Sequence, residues 1–265
     1  MSALLFDKDG TIVTLTINRP DSRNPLGEEG DGELFVAACE RINSDREIRC
    51  AILTGAGAAF SAGGNLKAIR ERAGAFAGAG VNIREGYRNG IHRIIRSLWN
   101  IEVPLIAAVN GPAIGLGNDV ACLADIRIAS DTAVFAASFL KVGLVPGDGG
   151  AWILPRVIGQ SRAAELFFTG DTIDAQTALQ WGLVSKVVPA ASLMEETRAL
   201  AARICRQPPD VLRMTKKLMR EAQSASFDAI MEMSAAMQSL AHLTEDHREA
   251  VNAFFEKRQP AFKGR

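Results

Sequence analysis

The sequence predicts an α/β fold: a mainly parallel sheet wound with helices, followed by a helical C-terminal region. Three observations carry this. Strand-like and helix-like segments alternate through the first two-thirds of the chain, as in a parallel sheet with helical crossovers. The run Pro104–Val109 (PLIAAV) is apolar at every position, as expected of a strand covered on both faces. Beyond Pro146 the apolar spacing becomes helical. With 265 residues, 48% of them apolar and 23% charged, the chain can fill one layered unit, and no linker-like stretch divides it.

The elements follow in order. Leu4–Phe6 and Ile12–Ile17 read as strands around an Asp9-Gly10 turn, and Asn18-Arg19-Pro20 stops the second. Leu34, Phe35, Ala38 and Ile42 recur at helical spacing, which predicts a helix before Asn43. Cys50–Leu53 is a short strand ended by Gly55-Ala56-Gly57, and the loop Phe60–Leu66 (FSAGGNL) opens into a helix over Lys67–Arg72. Residues 73–80 are almost all Ala and Gly and read as mobile. Ile83–Trp99 carries helical periodicity through Ile91, Ile94, Ile95 and Leu98. Asn110-Gly111-Pro112 breaks the PLIAAV strand, Gly115–Ala124 reads as a turn and a short helix, and Ile126–Ala129 as another strand. Helices are then expected over Gly149–Ile158, Ala163–Phe168, Ala175–Trp181, Leu193–Arg206, Pro209–Glu221 and Phe227–Leu240. A last helix, Glu245–Lys257, sets Val251, Phe254 and Phe255 against a charged side.

Thirty Lys and Arg balance thirty Asp and Glu. A zero net charge argues against a nucleic-acid partner, which calls for a basic face, and leaves little repulsion to oppose self-association. Cys39, Cys50, Cys122 and Cys205 form no CxxC pair, so neither a metal site nor a disulfide framework is expected. The N-terminus lacks the charged and long apolar regions of a secretory signal, and no apolar run is long enough to span a membrane. These features together predict a cytoplasmic protein.

Two segments share one design: an apolar strand, a glycine-bearing break and a helix start. They are Ala51–Leu66 and Pro104–Asp119. Helix N-termini expose unpaired N–H groups at a positive dipole end, so two that converge would cradle an oxyanion such as a thioester enolate. Gly-rich strand–helix turns are also common scaffolding in α/β proteins. Gly115-Leu116-Gly117 does not complete a GxGxxG dinucleotide fingerprint, and no P-loop occurs.

FSAGGNL resembles the FxAGxDL segment of the enoyl-CoA hydratase/isomerase (crotonase) family. AAVNGPAIGLGNDVACLADIRIAS, VGLVPGDGGAWILPRVIG, ELFFTGDTIDAQTALQWGLVSKVV, the NRPDSRNPL opening and the C-terminal EAVNAFFEKRQPAF are similar to further segments of that family, in the same order and over almost the whole chain. The resemblance implies a crotonase-like spiral of ββα turns over residues 1–200, with a helical trimerisation or cap region over 201–265. It also implies trimers that stack as hexamers and an acyl-CoA thioester as substrate, with no cofactor beyond its coenzyme A. By position, Gly64 and Leu116 would supply the oxyanion N–H groups, although the family usually has Gly where Leu116 stands. Ala62, Gly64, Asn65, Leu66 and Lys67 would line the coenzyme A groove, with Asn65 in place of the common Asp. Phe254 and Lys257 match positions that touch coenzyme A from the last helix; by themselves they read equally as an apolar contact and a solvated charge.

Hydration needs a base for water and an acid for Cα, and hydratases of this family divide the work between two Glu. The first position is Asp119, shorter by one methylene; as a plain helix residue it would complement the dipole. The second is Phe139, which cannot move a proton. Asp148, in the PGDGG turn, reads either as a substitute acid or as a helix N-cap, and related isomerases carry their acid one residue earlier, at Gly147. His92, His242 and His247 fall in no family motif and read as packed or solvated, so Ser61 has no triad partner. Phe139, Leu116, Trp99 and Trp152 are candidates to shape the pocket. The expected activity is an enoyl-CoA hydratase or isomerase, and a single shuttling carboxylate suits an isomerase better. The alternatives are an acyl-CoA or C–C bond hydrolase, or a protein that binds coenzyme A esters without catalysis.

Overall fold

The computed structural model describes residues 2–264. A hairpin opens the chain: β1 (Leu4–Asp9) and β2 (Ile12–Ile17) pair antiparallel across Asp9-Gly10, with Leu4 opposite Ile17. The chain then spirals. Each turn gives one strand to a large sheet, one short strand beside it, and helices outside. The first turn runs from β2 to β3 (Pro25–Leu26) and α1 (Asp31–Ser44). The second holds β4 (Cys50–Gly55), β5 (Gly63–Gly64), α2 (Leu66–Glu71), α3 (Gly80–Asn89) and α4 (Ile91–Trp99). The third holds β6 (Leu105–Val109), β7 (Ala113–Ile114) and α5 (Leu116–Cys122). The fourth holds β8 (Ile126–Ser130), β9 (Val134–Ala136), α6 (Gly150–Ile158) and α7 (Gln160–Thr169), and β10 (Thr172–Asp174), α8 (Ala175–Gln180) and β11 (Lys186–Val188) follow. The large sheet has the order β1-β2-β4-β6-β8-β11 and is parallel from β2 onward. A smaller sheet has the order β10-β9-β7, and β3 pairs with β5.

Strand alternation divides the core in two. Val13, Leu15, Leu53, Leu105 and Val109 face the main core with Phe35, Ile42, Ile94 and Leu98. Cys50, Ile52, Ile106, Ala108 and Ile128 face the other way, where α9 (Leu193–Ile204) covers them with Leu193 and Ala201. Helix α9 straddles residue 200, so the sheet-covering part of the chain runs a few residues past the expected boundary. Then come α10 (Pro209–Glu221), α11 (Phe227–His242) and α12 (Glu245–Phe255). Helix α11 buries none of its residues.

Two expectations are corrected. The single helix over Ile83–Trp99 is two, broken at Gly90, whose φ of −111° and ψ of −92° continue no helix. The stretch beyond Pro146 contains β10 and β11 as well as helices, and β11 joins the large sheet with Val187 opposite Ala129. Within residues 73–80, Gly74–Phe76 form a 3-10 turn that buries Phe76.

A buried ion cluster ties α10 to the sheet. Lys216 Nζ lies 2.7 Å from Asp125 Oδ2 and donates to Val103 O at 2.7 Å. Arg220 donates to Asp125 Oδ1 at 3.0 Å and to Leu123 O at 2.8 Å, and stacks on Trp99. Asp125 also accepts the Leu105 N–H at 2.8 Å. Burial lowers the pKa of both Lys216 and Arg220, opposed by Asp125.

Candidate active site

The two strand–break–helix segments lie side by side. Ser61 N–H donates to Pro112 O at 3.0 Å, and Ile114 N–H returns the bond to Ser61 O at 3.0 Å. Ser61 itself is structural: it is fully buried and its hydroxyl donates to Asn24 O at 2.7 Å. The turns approach so closely that a Cβ on Gly63, at φ +89°, would sit 2.5 Å from Ile114 O and 3.4 Å from Leu116 N. Only glycine fits there.

This packing leaves two N–H groups free. Pro25 has no N–H, so the β3–β5 pairing runs through Leu26 N–H and leaves Gly64 N–H outside the ladder. Leu116 is the first residue of α5, where N–H groups have no partner within the helix. Gly64 and Leu116 both line one narrow cavity, together with Ala62, Leu66, Tyr87, Phe139 and Asp148. The Leu116 side chain turns into the core, 2% exposed. Phe139 presents a ring where a second acid was sought.

Asp148 is the carboxylate that reaches this cavity. It precedes the α6 N-cap, Gly149, and its carboxyl meets the N–H of Gly150, the first residue of that helix. Asp119 is fully buried behind it and is not part of the cavity wall. Its side chain is within hydrogen-bonding range of Asp148. Gly150 makes room for this contact, since a Cβ there would lie 2.0 Å from Asp119 Oδ2.

Two buried carboxyls in contact cannot both ionise cheaply. Burial, then the charge of Asp148, pushes the Asp119 pKa well above the usual carboxylate range. Burial also raises Asp148, opposed by a hydrogen bond from Asp119 and by the N–H groups of Asp148 and Gly150. Of the two, Asp119 is pushed further toward its protonated form. Asp119 Oδ2 and Asp148 Oδ1 are otherwise buried without partners, and between two acceptors only a shared proton makes a bond.

A carboxyl with a raised folded pKa binds its proton more tightly than in the unfolded chain. Its contribution to stability is full below the unfolded value near ~4 and is lost as pH rises through the folded value. The Tm of Asp119→Asn should therefore gain on wild type between pH 5 and pH 8. A gap that stays constant across that range would show that Asp119 takes up no proton on folding.

Tyr87 and His92 were not singled out as site residues. Tyr87 lines the cavity, and its pKa is raised by burial and then by Asp148. His92 Nε2 lies 2.7 Å from Gly147 O; a carbonyl only accepts, so Nε2 carries the proton and anchors the turn that bears Asp148. No local motif marks either residue, because the fold brings them in from α3 and α4.

The other candidates divide. Asn65 caps α2, accepting from Ala68 N–H at 3.1 Å, and donates to Glu28 at 3.0 Å. Leu66 and Lys67 lie exposed beside the cavity mouth. Phe254 and Lys257 are not brought to the cavity within this chain; Phe254 is 79% exposed on α12. Trp99 and Trp152 meet edge to face, ring centroids 5.1 Å apart, away from the cavity wall. Among the described residues no group of three or more His, Cys, Asp or Glu could hold a metal ion, and no helix is long and apolar enough to cross a membrane.

Residues 7–265 match the family model described as Enoyl-CoA hydratase/isomerase. The chain is 35% identical to a 1,2-epoxyphenylacetyl-CoA isomerase of Escherichia coli, covering 100% of both proteins. It is 34% identical to a short-chain-enoyl-CoA hydratase of Clostridium acetobutylicum, covering 100% of this chain and 99% of the relative. The crystal structure of an enoyl-CoA hydratase from Bacillus anthracis superposes with a TM-score of 0.92 at 32% identity, covering 100% of both chains.

Proposed function

The chain belongs to the enoyl-CoA hydratase/isomerase family and is an acyl-CoA-processing enzyme of that type, and from this premise we propose that it shifts the double bond of an enoyl-CoA thioester. The observation that carries the choice is that Asp148 alone among the cavity-lining residues bears a carboxyl, while Phe139 fills the position of a second acid. The thioester oxygen sits between the N–H groups of Gly64 and Leu116, which hold the negative charge that develops on it. Asp148, ionised, takes a proton from Cα of a 3-enoyl thioester and returns it to Cγ, so the double bond moves to the 2-position with no net loss. Asp119 donates its hydrogen bond to Asp148 and tunes its basicity. Burial holds the Asp148 pKa above that of a free carboxyl, which makes it a stronger base at neutral pH. No cofactor is called for beyond the coenzyme A of the substrate, whose groove would be lined by Ala62, Asn65, Leu66 and Lys67.

Turnover of trans-3-enoyl-CoA and trans-2-enoyl-CoA, followed by thioester absorbance and product mass, tests this. Isomerisation without gain of 18 mass units supports the reading. Water addition would make the enzyme a hydratase that works with the Asp148–Asp119 pair. Release of free coenzyme A would make it a hydrolase, and binding without reaction a carrier.

We also propose that residues 201–265 build a homotrimer, or a hexamer made of two trimers. Phe227, Met231 and Leu240 on α11, Leu243 just beyond it, and Phe254 and Phe255 on α12 stand exposed, a large apolar surface for a lone chain. A neighbour's α12 would bring Phe254 and Lys257 to a coenzyme A groove. Light scattering should give a mass three or six times that of the chain; a monomer at micromolar concentration would refute this. The buried free thiols Cys39, Cys50 and Cys122 support a reducing, cytoplasmic location.

A further inference from the structure

We propose that the acyl end of the cavity opens into a cationic cleft that selects thioesters whose acyl chain ends in a carboxylate. The proposal rests on reading the cavity as the acyl-CoA site. Tyr87, Leu144 and Gly147 line both the cavity and a neighbouring cleft. The rest of the cleft wall comes largely from Arg84 and Arg88 on α3 and from His92 and Arg96 on α4. The coenzyme A side of the cavity is at Ala62 and Leu66, whereas Gly147 stands between Asp148 and the cleft. A chain whose Cα and Cγ reach Asp148 therefore points its distal carbons past Tyr87 and Leu144 toward the arginines.

The charges there are not balanced by the protein. Arg84 and Arg88 lie four residues apart on α3, and Arg96 follows on α4 beyond the break at Gly90, so three guanidinium groups gather on one wall of the cleft. Glu85 serves two of them, 3.0 Å from Arg84 and 3.3 Å from Arg88. Arg96 has no carboxylate partner among the described residues. Three guanidinium groups thus line the cleft with one carboxylate paired to two of them, beside apolar Ile83, Leu144 and Val145. An aliphatic stem ending in a carboxylate matches both halves of this lining, and guanidinium forks suit a carboxylate's two oxygens.

Binding titrations with unreactive saturated thioesters test the proposal without relying on turnover. The pairs are hexanoyl-CoA against adipyl-CoA, and octanoyl-CoA against suberyl-CoA. Wild type should bind the carboxylate-ended member of at least one pair tenfold or more tightly. The triple variant Arg84→Gln/Arg88→Gln/Arg96→Gln should lose that preference, and Glu85→Gln should increase it by relieving the competing carboxylate. Equal affinity for both members in wild type overturns the proposal. So does an equal loss for both in the triple variant, which would assign the arginines to the coenzyme A phosphates or to folding. Failure of wild type to bind any of the four overturns the acyl-CoA reading of the cavity itself, and this proposal with it.

Discussion

Asp148→Asn should lower kcat for isomerisation of a trans-3-enoyl-CoA by roughly 100- to 10,000-fold, the usual worth of a positioned proton-transfer group. The amide is nearly isosteric and keeps an oxygen for the neighbouring N–H groups, so thioester affinity should change little. The matching variant Asp119→Asn separates the two carboxyls. Asp119 is not part of the cavity wall, and an amide at that position can still donate to Asp148. Its kcat should fall by only about tenfold or less. The pH at which activity rises should move upward, because the Asp119 hydrogen bond that lowers the Asp148 pKa is replaced by the weaker donation of an amide. If Asp119→Asn abolishes turnover and Asp148→Asn does not, the roles are reversed and Asp119 reaches substrate by a rearrangement of the PGDGG turn.

Asp125→Ala should cost about 3–5 kcal/mol of folding stability, read as a drop in the urea midpoint at constant m-value. The truncation leaves Lys216, only 6% exposed, and Arg220 without their shared counter-ion, and strips the Leu105 N–H of its acceptor. The cost comes from stranded charge rather than from a strong bond. Pairing Asp125→Ala with Lys216→Met should therefore recover a large part of the loss, since the buried ammonium goes as well. A double variant no more stable than Asp125→Ala alone would mean that lost packing, not unpaired charge, sets the effect.

The strand–glycine–helix turns were legible because they are local. The chain stops a strand, supplies glycine and starts a helix within a dozen residues, so FSAGGNL and NGPAIGLGND mark two such breaks, while the choice of Gly64 and Leu116 within them came from the resemblance to the family. The short strands were not legible. Ala113–Ile114, Val134–Ala136 and Lys186–Val188 have two or three residues each, too few to show a period, and exist because remote partners pair with them. Gly90 sits within an apolar helical pattern that continues on both sides of it, so spacing alone passed over the break. The carboxyl pair was half legible. Asp119 and Asp148 were both singled out, but which of them meets substrate depends on how α5 packs against α6 at Gly150. Tyr87, His92 and the arginines of α3 and α4 carry no motif and gain meaning only where the chain folds them against the PGDGG turn.

The N–H groups that face the cavity belong to the backbone at Gly64 and Leu116, and replacing a side chain does not delete them. What the enzyme holds and what it does to it can therefore diverge separately in descent. On the proposed reading, exchanging Asp119, Asp148 or Phe139 would add or remove a proton-transfer step and leave both N–H groups in place. The turns themselves are far less free to vary, because a single methyl at Gly63 meets Ile114 O at 2.5 Å. A lineage built on this scaffold can change its reaction by one or two point substitutions long before it can change the class of molecule it accepts.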